Sequence, residues 1–148
     1  MSLQVENLRV YYQTLRGDVK ALDGATFSLK NGEIMGLAGE SGCGKSTLGN
    51  SFVRLAPPMR FVEGKVTLDG QELPIWDQDK MMSHRFRDVS IVPQYAMNAM
   101  NPTRKIGLMV SELLKTRQVN YADMLPELHR RLDLVGLSHD VLGMYPIE

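Results

Sequence analysis

Apolar and polar residues alternate with a period of two near the start of the chain, which indicates β-strands. In the first such stretch, alternate positions form two sets, one on each face of the predicted strand. They are Leu8, Val10 and Tyr12 on one face and Asn7, Arg9 and Tyr11 on the other. A turn at Arg16-Gly17-Asp18 leads to a second predicted strand over 21–29, which Asn31-Gly32 closes. A further hairpin is predicted for 65–73 around Asp69-Gly70.

Between these hairpins the pattern changes to that of a strand followed by a helix. Residues 33–38 (E-I-M-G-L-A) form a short, mostly apolar run, as expected of a buried parallel strand. Leu48, Phe52 and Leu55 recur at helical spacing, and Pro57-Pro58 ends the predicted helix.

The second half of the chain has mainly helical periodicity. A short helix is predicted over 77–87 and a strand over 89–92. The clearest amphipathic helix follows at 106–114, with apolar residues at i, i+3, i+4, i+7 and i+8. Another helix is predicted to end near Val135, with Pro126 in its first turn and Gly136 after its end. Ser138 is predicted to cap a last short helix that ends before Pro146.

Composition narrows the class of protein without deciding it. The chain has 148 residues, enough for one domain with a core, and its 17 basic and 17 acidic residues cancel, so nothing points to nucleic acid. A single cysteine, Cys43, allows no internal disulfide and fits a reducing, cytoplasmic setting. No apolar run approaches a membrane span of ~20 residues. Three histidines lack metal-like spacing and evident partners: His84, His129 and His139.

Residues 39–47 (G-E-S-G-C-G-K-S-T) match the phosphate-loop pattern G-x-x-x-x-G-K-[ST]. An apolar run precedes the motif and a helical pattern follows it, which is the context that the motif requires. Polyphosphate binding needs several backbone N–H groups directed inward, and glycine adopts the necessary backbone angles without a side chain in the way. The alternative is a glycine-rich turn that merely joins a strand to a helix. The predicted nucleotide-binding residues of the loop are Gly39, Ser41, Gly42, Cys43, Gly44, Lys45, Ser46 and Thr47.

Each polar side chain of this loop has a predicted role. Lys45 supplies a compact positive charge to the β- and γ-phosphates, and Ser46 offers an oxygen to Mg²⁺. Thr47 directs a hydroxyl to a nearer phosphate. Cys43 contributes its backbone N–H, and its thiol is expected to be a small side chain at a variable position.

Other phosphate-loop proteins fit less well. A GTPase requires N-K-x-D, which is absent, and the D-x-x-G match at Asp140–Gly143 does not follow an apolar strand. A small-molecule kinase requires a basic lid over the phosphates, and no such cluster is visible.

Three longer stretches carry a resemblance to a known family. They are L-x-G-E-S-G-C-G-K-S-T-L, I-V-P-Q-Y-A-M-N-A-M-N-P and L-D-L-V-G-L. Together they resemble the nucleotide-binding subunits of ATP-binding cassette (ABC) transporters, in the branch that powers oligopeptide, dipeptide and nickel importers. The resemblance runs from about residue 4 to the end of the chain. It implies an α/β fold of the P-loop NTPase type, with a mixed sheet, an antiparallel β subdomain and part of a helical subdomain.

The resemblance also implies residue roles and two domains. Tyr12, rather than Tyr11, would stack on adenine; otherwise it is a strand aromatic packed in the core. Gln94 would reach Mg²⁺ and the attacking water, which makes Lys45 and Gln94 the catalytic candidates. Residues 1–94 would form the nucleotide-binding core portion and 95–148 a partial helical subdomain. Tyr95-Ala96 replaces the family's acidic-Pro pair.

The implied partners follow from the same family. They are a second ATPase subunit in a head-to-tail dimer, membrane permease subunits that contact the Gln94 region and, indirectly, an extracytoplasmic solute-binding protein. The cofactors would be ATP and Mg²⁺. The expected location is the cytoplasm, peripheral to the inner face of the cell membrane.

The family pattern L-S-G-G-x is expected directly after Glu148, where the sequence ends. The strand ending in Asp-Glu and the later switch histidine are also not found within residues 1–148. The chain is therefore expected to be truncated, to have an incomplete core, and to bind ATP without hydrolysing it; the alternative is a nucleotide-binding module without chemistry. Residues 33–38 would lack a partner strand, so a second copy or a rearranged segment is expected to cover them.

Overall fold

The computed structural model describes residues 2–94 and 100–148 of the chain. The chain divides into two compact units, Met1–Ile91 and Val92–Glu148. Within its described residues, the first unit combines a β-sheet with short helices, and the second unit is helical.

The first unit is built around a four-stranded antiparallel sheet in the order β2-β1-β3-β4. The strands are β1 (Leu3–Thr14), β2 (Gly17–Leu29), β3 (Met59–Leu68) and β4 (Gln71–Glu72). Both predicted hairpins are confirmed, although the turn between β1 and β2 lies at 15–16, one residue before its predicted start. An antiparallel sheet is therefore present, as the sequence predicted.

The pairing of β1 with its neighbours is irregular, although its side chains alternate from Leu8 to Tyr12. The register shifts between Val10 and Tyr11 in the pairing with β2. The extra residue at this shift, Ala21, lies in β2, so β1 itself continues without an insertion. Val10 and Tyr11 are both buried, on opposite faces of the strand, and Tyr12 is half-buried. The predicted period of two holds here, because Arg9 and Tyr11 both contact Asp23 on the polar face, whereas Tyr12 contacts Thr47 of the first helix.

The hydrophobic core of the first unit lies between the sheet, the first helix and the segment after β4. Its buried residues come from all three parts of the unit. They include Val5, Leu8, Val10, Val66, Leu48, Leu73, Ile75 and Met81. Leu55 belongs to the same cluster. Leu48 and Leu55, two of the three apolar residues predicted to share a helix face, are therefore both in the core.

Both helices of the described first unit are shorter than predicted. Helix α1 covers Lys45–Ser51, and a turn at 52–53 follows it well before Pro57. Helix α2 covers Gln78–Met81 and is capped by Asp77, whose side chain accepts hydrogen bonds from the N–H groups of Asp79 and Lys80. The predicted continuation to residue 87 fails because Phe86 has a φ of 64°, which is incompatible with a right-handed helix.

The strand predicted over 89–92 is also wrong. Val89 forms only an isolated bridge with Arg85, and residues 90–92 have no strand pairing. A tight turn brings these two residues together, with the N–H of Phe86 donating to the carbonyl of Val89 at 2.8 Å.

Residues 33–38 do not form the predicted parallel strand. They contain neither strand pairing nor a turn, and all six are exposed, with Ile34 97% exposed. A strand requires hydrogen-bonding partners from a neighbouring strand, and the described residues provide none here. The expected unpaired apolar segment is therefore present, but the expectation that a rearranged segment covers it is wrong. Coverage by a second copy stays a prediction.

The described second unit contains α3 (Ile106–Thr116), α4 (Tyr121–Leu134) and a 3₁₀ helix at His139–Gly143. The prediction of a helix over 106–114 is confirmed. The N–H of Ile106 donates to the carbonyl of Met144 at 3.0 Å, and a Cβ at Gly107 would lie 2.7 Å from the carbonyl oxygen of Leu142. The start of α3 therefore packs closely against the chain around the 3₁₀ helix.

Helix α4 begins earlier than the sequence pattern predicted. Asn120 caps it by accepting a hydrogen bond from the N–H of Ala122, so Pro126 lies inside the helix rather than in its first turn. Its end is as predicted: Gly136 has a φ of 71°, and the N–H of Leu137 donates back to Leu132 at 3.0 Å.

Two further observations complete the second unit and the chain. Ser138 caps the 3₁₀ helix through the N–H of Asp140, as predicted. Among the described residues, no helix has the length and apolar character needed to cross a membrane.

Candidate phosphate-binding site

The glycine-rich loop 39–47 lies directly before and within the start of α1, and Gly44 fixes its position on the sheet. Gly44 has a φ of 93° and precedes the first helical residue, Lys45. A Cβ at Gly44 would lie 2.5 Å from the carbonyl oxygen of Ala21 and 3.2 Å from Cδ2 of Leu22. The loop backbone is therefore pressed against β2 at a distance that only glycine allows.

The tip of the loop is a turn with an open surface. The N–H of Cys43 donates to the carbonyl of Glu40 at 3.3 Å, and Gly42 has a φ of 84°. A Cβ at Gly42 would meet nothing within 4 Å. Ser41, Gly42 and the Cys43 thiol are exposed, so this part of the loop is accessible to a ligand.

The Lys45 side chain folds back over the loop that precedes it. Its Nζ donates to the carbonyl of Gly39 at 2.7 Å and to the carbonyl of Glu40 at 2.6 Å. Cys43 Sγ lies 3.5 Å from the same nitrogen. These contacts join the two ends of the loop and hold the positive charge of Lys45 beside Gly39 and Glu40.

The two hydroxyls after Lys45 have different surroundings. Ser46 is exposed, whereas Thr47 is buried and only 6% exposed. Oγ1 of Thr47 lies 3.1 Å from the hydroxyl of Tyr12, within hydrogen-bond distance. No side chain caps the N-terminus of α1, so its first-turn N–H groups have no side-chain acceptor.

The two neighbouring tyrosines of β1 are held in different environments. Tyr11 is 8% exposed, and its hydroxyl donates to Oδ1 of Asp23 at 2.7 Å. This hydrogen bond raises the pKa of Tyr11 and lowers the pKa of Asp23. Lys20 and Arg60 lie against the Tyr11 ring, at 5.7 Å and 6.0 Å from its centroid. The hydroxyl and the ring of Tyr11 thus both have protein partners away from the loop, and Tyr12 is the tyrosine beside the loop.

The donor groups of this loop fit a magnesium-bound polyphosphate. An ammonium group, hydroxyls and backbone N–H groups are the donors that phosphate oxygens accept from. Among the described residues, no cluster of three or more His, Cys, Asp or Glu side chains could hold a metal. Mg²⁺ needs no such cluster, because it commonly keeps several waters and binds substrate phosphates with one or two protein ligands. Ser46, which is exposed beside Lys45, is suitably placed to be such a ligand.

The structure brings together some of the predicted site residues. Tyr12, Lys45 and Thr47 lie in the first unit around the glycine-rich loop. Gln94 belongs to the second unit and is exposed. The replacement at Tyr95-Ala96 lies outside the described residues. The role of Gln94 therefore stays a prediction.

The histidines have partners that the sequence interpretation missed. His84 Nδ1 lies 2.7 Å from Asp88, and His139 Nε2 lies 2.8 Å from Asp133. The rings of His129 and His139 stack with centroids 4.0 Å apart. The expectation that the three histidines lack partners is wrong. The spacing of His84 and Asp88 at i, i+4 was a usable signal, whereas the other contacts depend on how the 3₁₀ helix meets α4.

Comparison with known proteins decides which kind of phosphate-loop protein this is. The family model described as ABC transporter matches residues 22–147. The chain belongs to the ABC transporter family. This membership confirms the resemblance seen in the sequence and implies the P-loop NTPase fold class and ATP binding.

Curated ABC transporter proteins that resemble this chain share about a third of its residues. It is 34% identical to the oligopeptide transport ATP-binding protein AppF of Bacillus subtilis, over 93% of this chain and 41% of that protein. It is also 34% identical to the dipeptide transport ATP-binding protein DppD of the same organism, over 97% of this chain and 44% of that protein. The oligopeptide transport ATP-binding protein OppD of Escherichia coli is 32% identical, over 99% of this chain and 44% of that protein. The chain thus spans less than half the length of each of these relatives.

Proposed function

We propose that this chain is part of the ATP-binding subunit of an ABC importer that takes up peptides or a related solute. The observation that carries the proposal is the closed loop 39–47, in which the Lys45 ammonium is held by the carbonyls of Gly39 and Glu40. Family membership supports ATP as the ligand of this loop. The names of the oligopeptide and dipeptide transport relatives support the solute class.

Each part of the site has a role in this proposal. The backbone N–H groups of 41–47 and the Lys45 ammonium bind the phosphates. Ser46 ligates Mg²⁺, which neutralises phosphate charge when bound. The ring of Tyr12 packs on adenine, and its half-buried position beside Thr47 leaves part of the ring accessible. Gln94 is assigned to Mg²⁺ and the attacking water.

The chain of residues 1–148 is proposed to bind ATP without hydrolysing it. Its sequence contains neither L-S-G-G nor an apolar strand ending in Asp-Glu. A nucleotide-binding module without catalysis describes residues 1–148 equally well on their own. A small-molecule kinase is disfavoured because the sequence contains no basic cluster suited to form a lid over the phosphates.

The proposed assembly follows from the transporter family. A second ATPase subunit would pair head-to-tail with this one, and the region of Gln94 would contact a membrane permease. A solute-binding protein would act indirectly on the far side of the membrane. In this arrangement 1–94 forms the nucleotide-binding portion and 95–148 the partial helical subdomain, at the cytoplasmic face.

Thermal unfolding with increasing MgATP tests whether the loop binds nucleotide. Binding to the folded state raises the unfolding temperature, and at a ligand concentration of about 100 times Kd the stabilisation is about 2.7 kcal/mol. Lys45→Ala should remove this shift, because it deletes the charge held over the loop. Lys65→Ala, on an exposed lysine of β3, is the matched control and should retain the shift. An equal shift in wild type and Lys45→Ala would refute the site.

A further inference from the structure

The Thr47 hydroxyl has a partner that its predicted role does not explain. Thr47 is buried, and its Oγ1 lies 3.1 Å from the hydroxyl of Tyr12. A hydroxyl carries one proton to donate and two lone pairs that accept. Thr47 can therefore accept a hydrogen bond from Tyr12 and at the same time donate its own proton to a third group.

A phosphate ligand would fix the direction of this hydrogen bond. Unprotonated phosphate oxygens only accept, so Thr47 can serve a phosphate only by donating its proton to it. Thr47 must then accept from Tyr12, and the tyrosine proton points to Thr47. If Thr47 instead donated its proton to Tyr12, only a lone pair of Thr47 would face the anion, and the two would repel.

We propose that Tyr12 is a positioning residue for the phosphate chain, in addition to any contact with the base. Its hydroxyl donates to Thr47 and thereby orients the Thr47 proton towards the phosphate. Successive hydrogen bonds of this kind also polarise one another, which strengthens the bond to the anion. The proposal deepens the proposed function and rests on it, because it requires that the loop bind phosphates.

The neighbouring structure holds Tyr12 in place for this role. Tyr12 lies in β1, between β2 and β3, opposite Val19 of β2 and Met59 of β3. The preceding residue, Tyr11, is anchored through its hydroxyl to Asp23 and by the cations of Lys20 and Arg60 on its ring. Strand pairing with β2 and β3 therefore holds the backbone of Tyr12 in place, and its hydroxyl points to Thr47 of α1.

Inorganic tripolyphosphate separates this role from stacking on adenine, because it has phosphates but no base. Calorimetric titration of the chain with tripolyphosphate and Mg²⁺, and in parallel with MgATP, measures both affinities. Tyr12→Phe keeps the ring and removes only the hydroxyl. We expect it to weaken tripolyphosphate binding roughly threefold to tenfold, the range of one net hydrogen bond, and ATP binding by a similar factor.

A double-mutant cycle identifies Thr47 as the group through which Tyr12 acts. Thr47→Val removes the hydroxyl at nearly constant shape, so Tyr12→Phe should have no further effect on tripolyphosphate affinity in that background. Thr47→Ser retains the hydroxyl and should retain sensitivity to Tyr12→Phe. Tyr145→Phe, at an exposed tyrosine of the second unit, is the matched control and should bind like wild type.

The possible outcomes distinguish this proposal from the function on which it rests. If Tyr12→Phe binds tripolyphosphate as tightly as wild type, or if the two substitutions act additively, the proton-orienting role is overturned while the phosphate site stands. If Lys45→Ala binds both tripolyphosphate and MgATP with the same affinity as wild type, the phosphate site itself is wrong and this proposal is wrong too. Circular dichroism confirms that each variant is folded; should Thr47→Val unfold, the Tyr12→Phe result with tripolyphosphate decides.

Discussion

At the scale of single residues, Gly44 is the position where the loop and the sheet constrain each other most closely. Gly44→Ala introduces a Cβ into a left-handed backbone conformation, at a cost of about 1–2 kcal/mol, and places it 2.5 Å from the carbonyl oxygen of Ala21. Gly42→Ala has the same kind of backbone cost, but its Cβ meets nothing within 4 Å. We expect Gly44→Ala to destabilise the nucleotide-free chain clearly more than Gly42→Ala in urea unfolding. Equal losses would show that the contact with β2 is not tight.

The residue chemistry of the loop was predictable from sequence, but its neighbours were not. The motif locates 39–47 because its glycines and lysine stand at fixed intervals, and the structure shows Lys45 folded over that loop. The contact of Tyr12 with Thr47 depends on how the first helix packs on the sheet, which no alternation pattern contains. The sequence resemblance favoured Tyr12 over Tyr11, and the structure places the Tyr12 hydroxyl beside Thr47 of the loop.

At the scale of elements, the exposed run 33–38 predicts association between chains. Ile34 is 97% exposed, Met35 44% and Leu37 53%, and the backbone here has no strand partner. Exposed apolar segments with free backbone groups pair readily with other chains. We expect sedimentation experiments to show self-association that increases with protein concentration and is reduced by Ile34→Lys.

A matched control tests whether that association depends on this run rather than on any exposed apolar residue. Leu15, in the turn between β1 and β2, is as exposed as Ile34. Leu15→Lys adds the same charge elsewhere and should leave the association unchanged. A chain that remains monomeric at all concentrations, or one in which both variants behave alike, would contradict the prediction.

Helix α4 should weaken in acid through Glu127. Its carboxylate accepts from Arg130 and from Arg131, which lowers the pKa of Glu127 from its ordinary value of 4.5 to about 2. Because the pKa of the folded form is the lower one, the stabilisation is present above about pH 4.5 and is lost as the pH falls towards 2. Far-ultraviolet circular dichroism during thermal unfolding should show this loss over that interval.

Glu127→Gln isolates this contribution from that of other carboxyl groups. The variant cannot form the ion pairs, so its stability at neutral pH should be slightly lower and should fall less between pH 4.5 and 2 than that of wild type. Identical acid profiles for wild type and variant would show that these exposed pairs contribute nothing measurable.

The elements that were predicted well are those that satisfy their own hydrogen bonds. Helix α3 was visible in the spacing of its apolar residues, since a helix forms its backbone bonds locally. Residues 33–38 have the composition of a buried strand, but a strand exists only when another strand pairs with it. The strand prediction for 89–92 was wrong for the same reason. The predictions of β1 and β2 were correct because a short turn makes each strand the partner of the other.

At the scale of the whole molecule, the binding loop and the other catalytic candidate belong to different units. The loop lies in Met1–Ile91, together with the sheet that presents Tyr12, and Gln94 lies in Val92–Glu148. Family membership explains why both motifs occur in one chain, since the family model spans residues 22–147 across both units. In the proposed function, the phosphates bind to the loop of the first unit, but hydrolysis also requires groups that position and activate water.

This difference predicts binding without turnover for residues 1–148. Phosphoryl transfer depends on positioning and on stabilisation of charge at both the attacking and the leaving oxygen. In the proposed function Lys45 and Ser46 act on the phosphates and Gln94 is the one water-positioning candidate. Residues 1–148 contain no Asp-Glu strand to supply a base. Phosphate release from MgATP by the purified chain should not exceed that of Lys45→Ala, under conditions where wild type shows its nucleotide-dependent thermal shift. Phosphate release that Lys45→Ala abolishes would show instead that residues 1–148 contain a complete hydrolytic site.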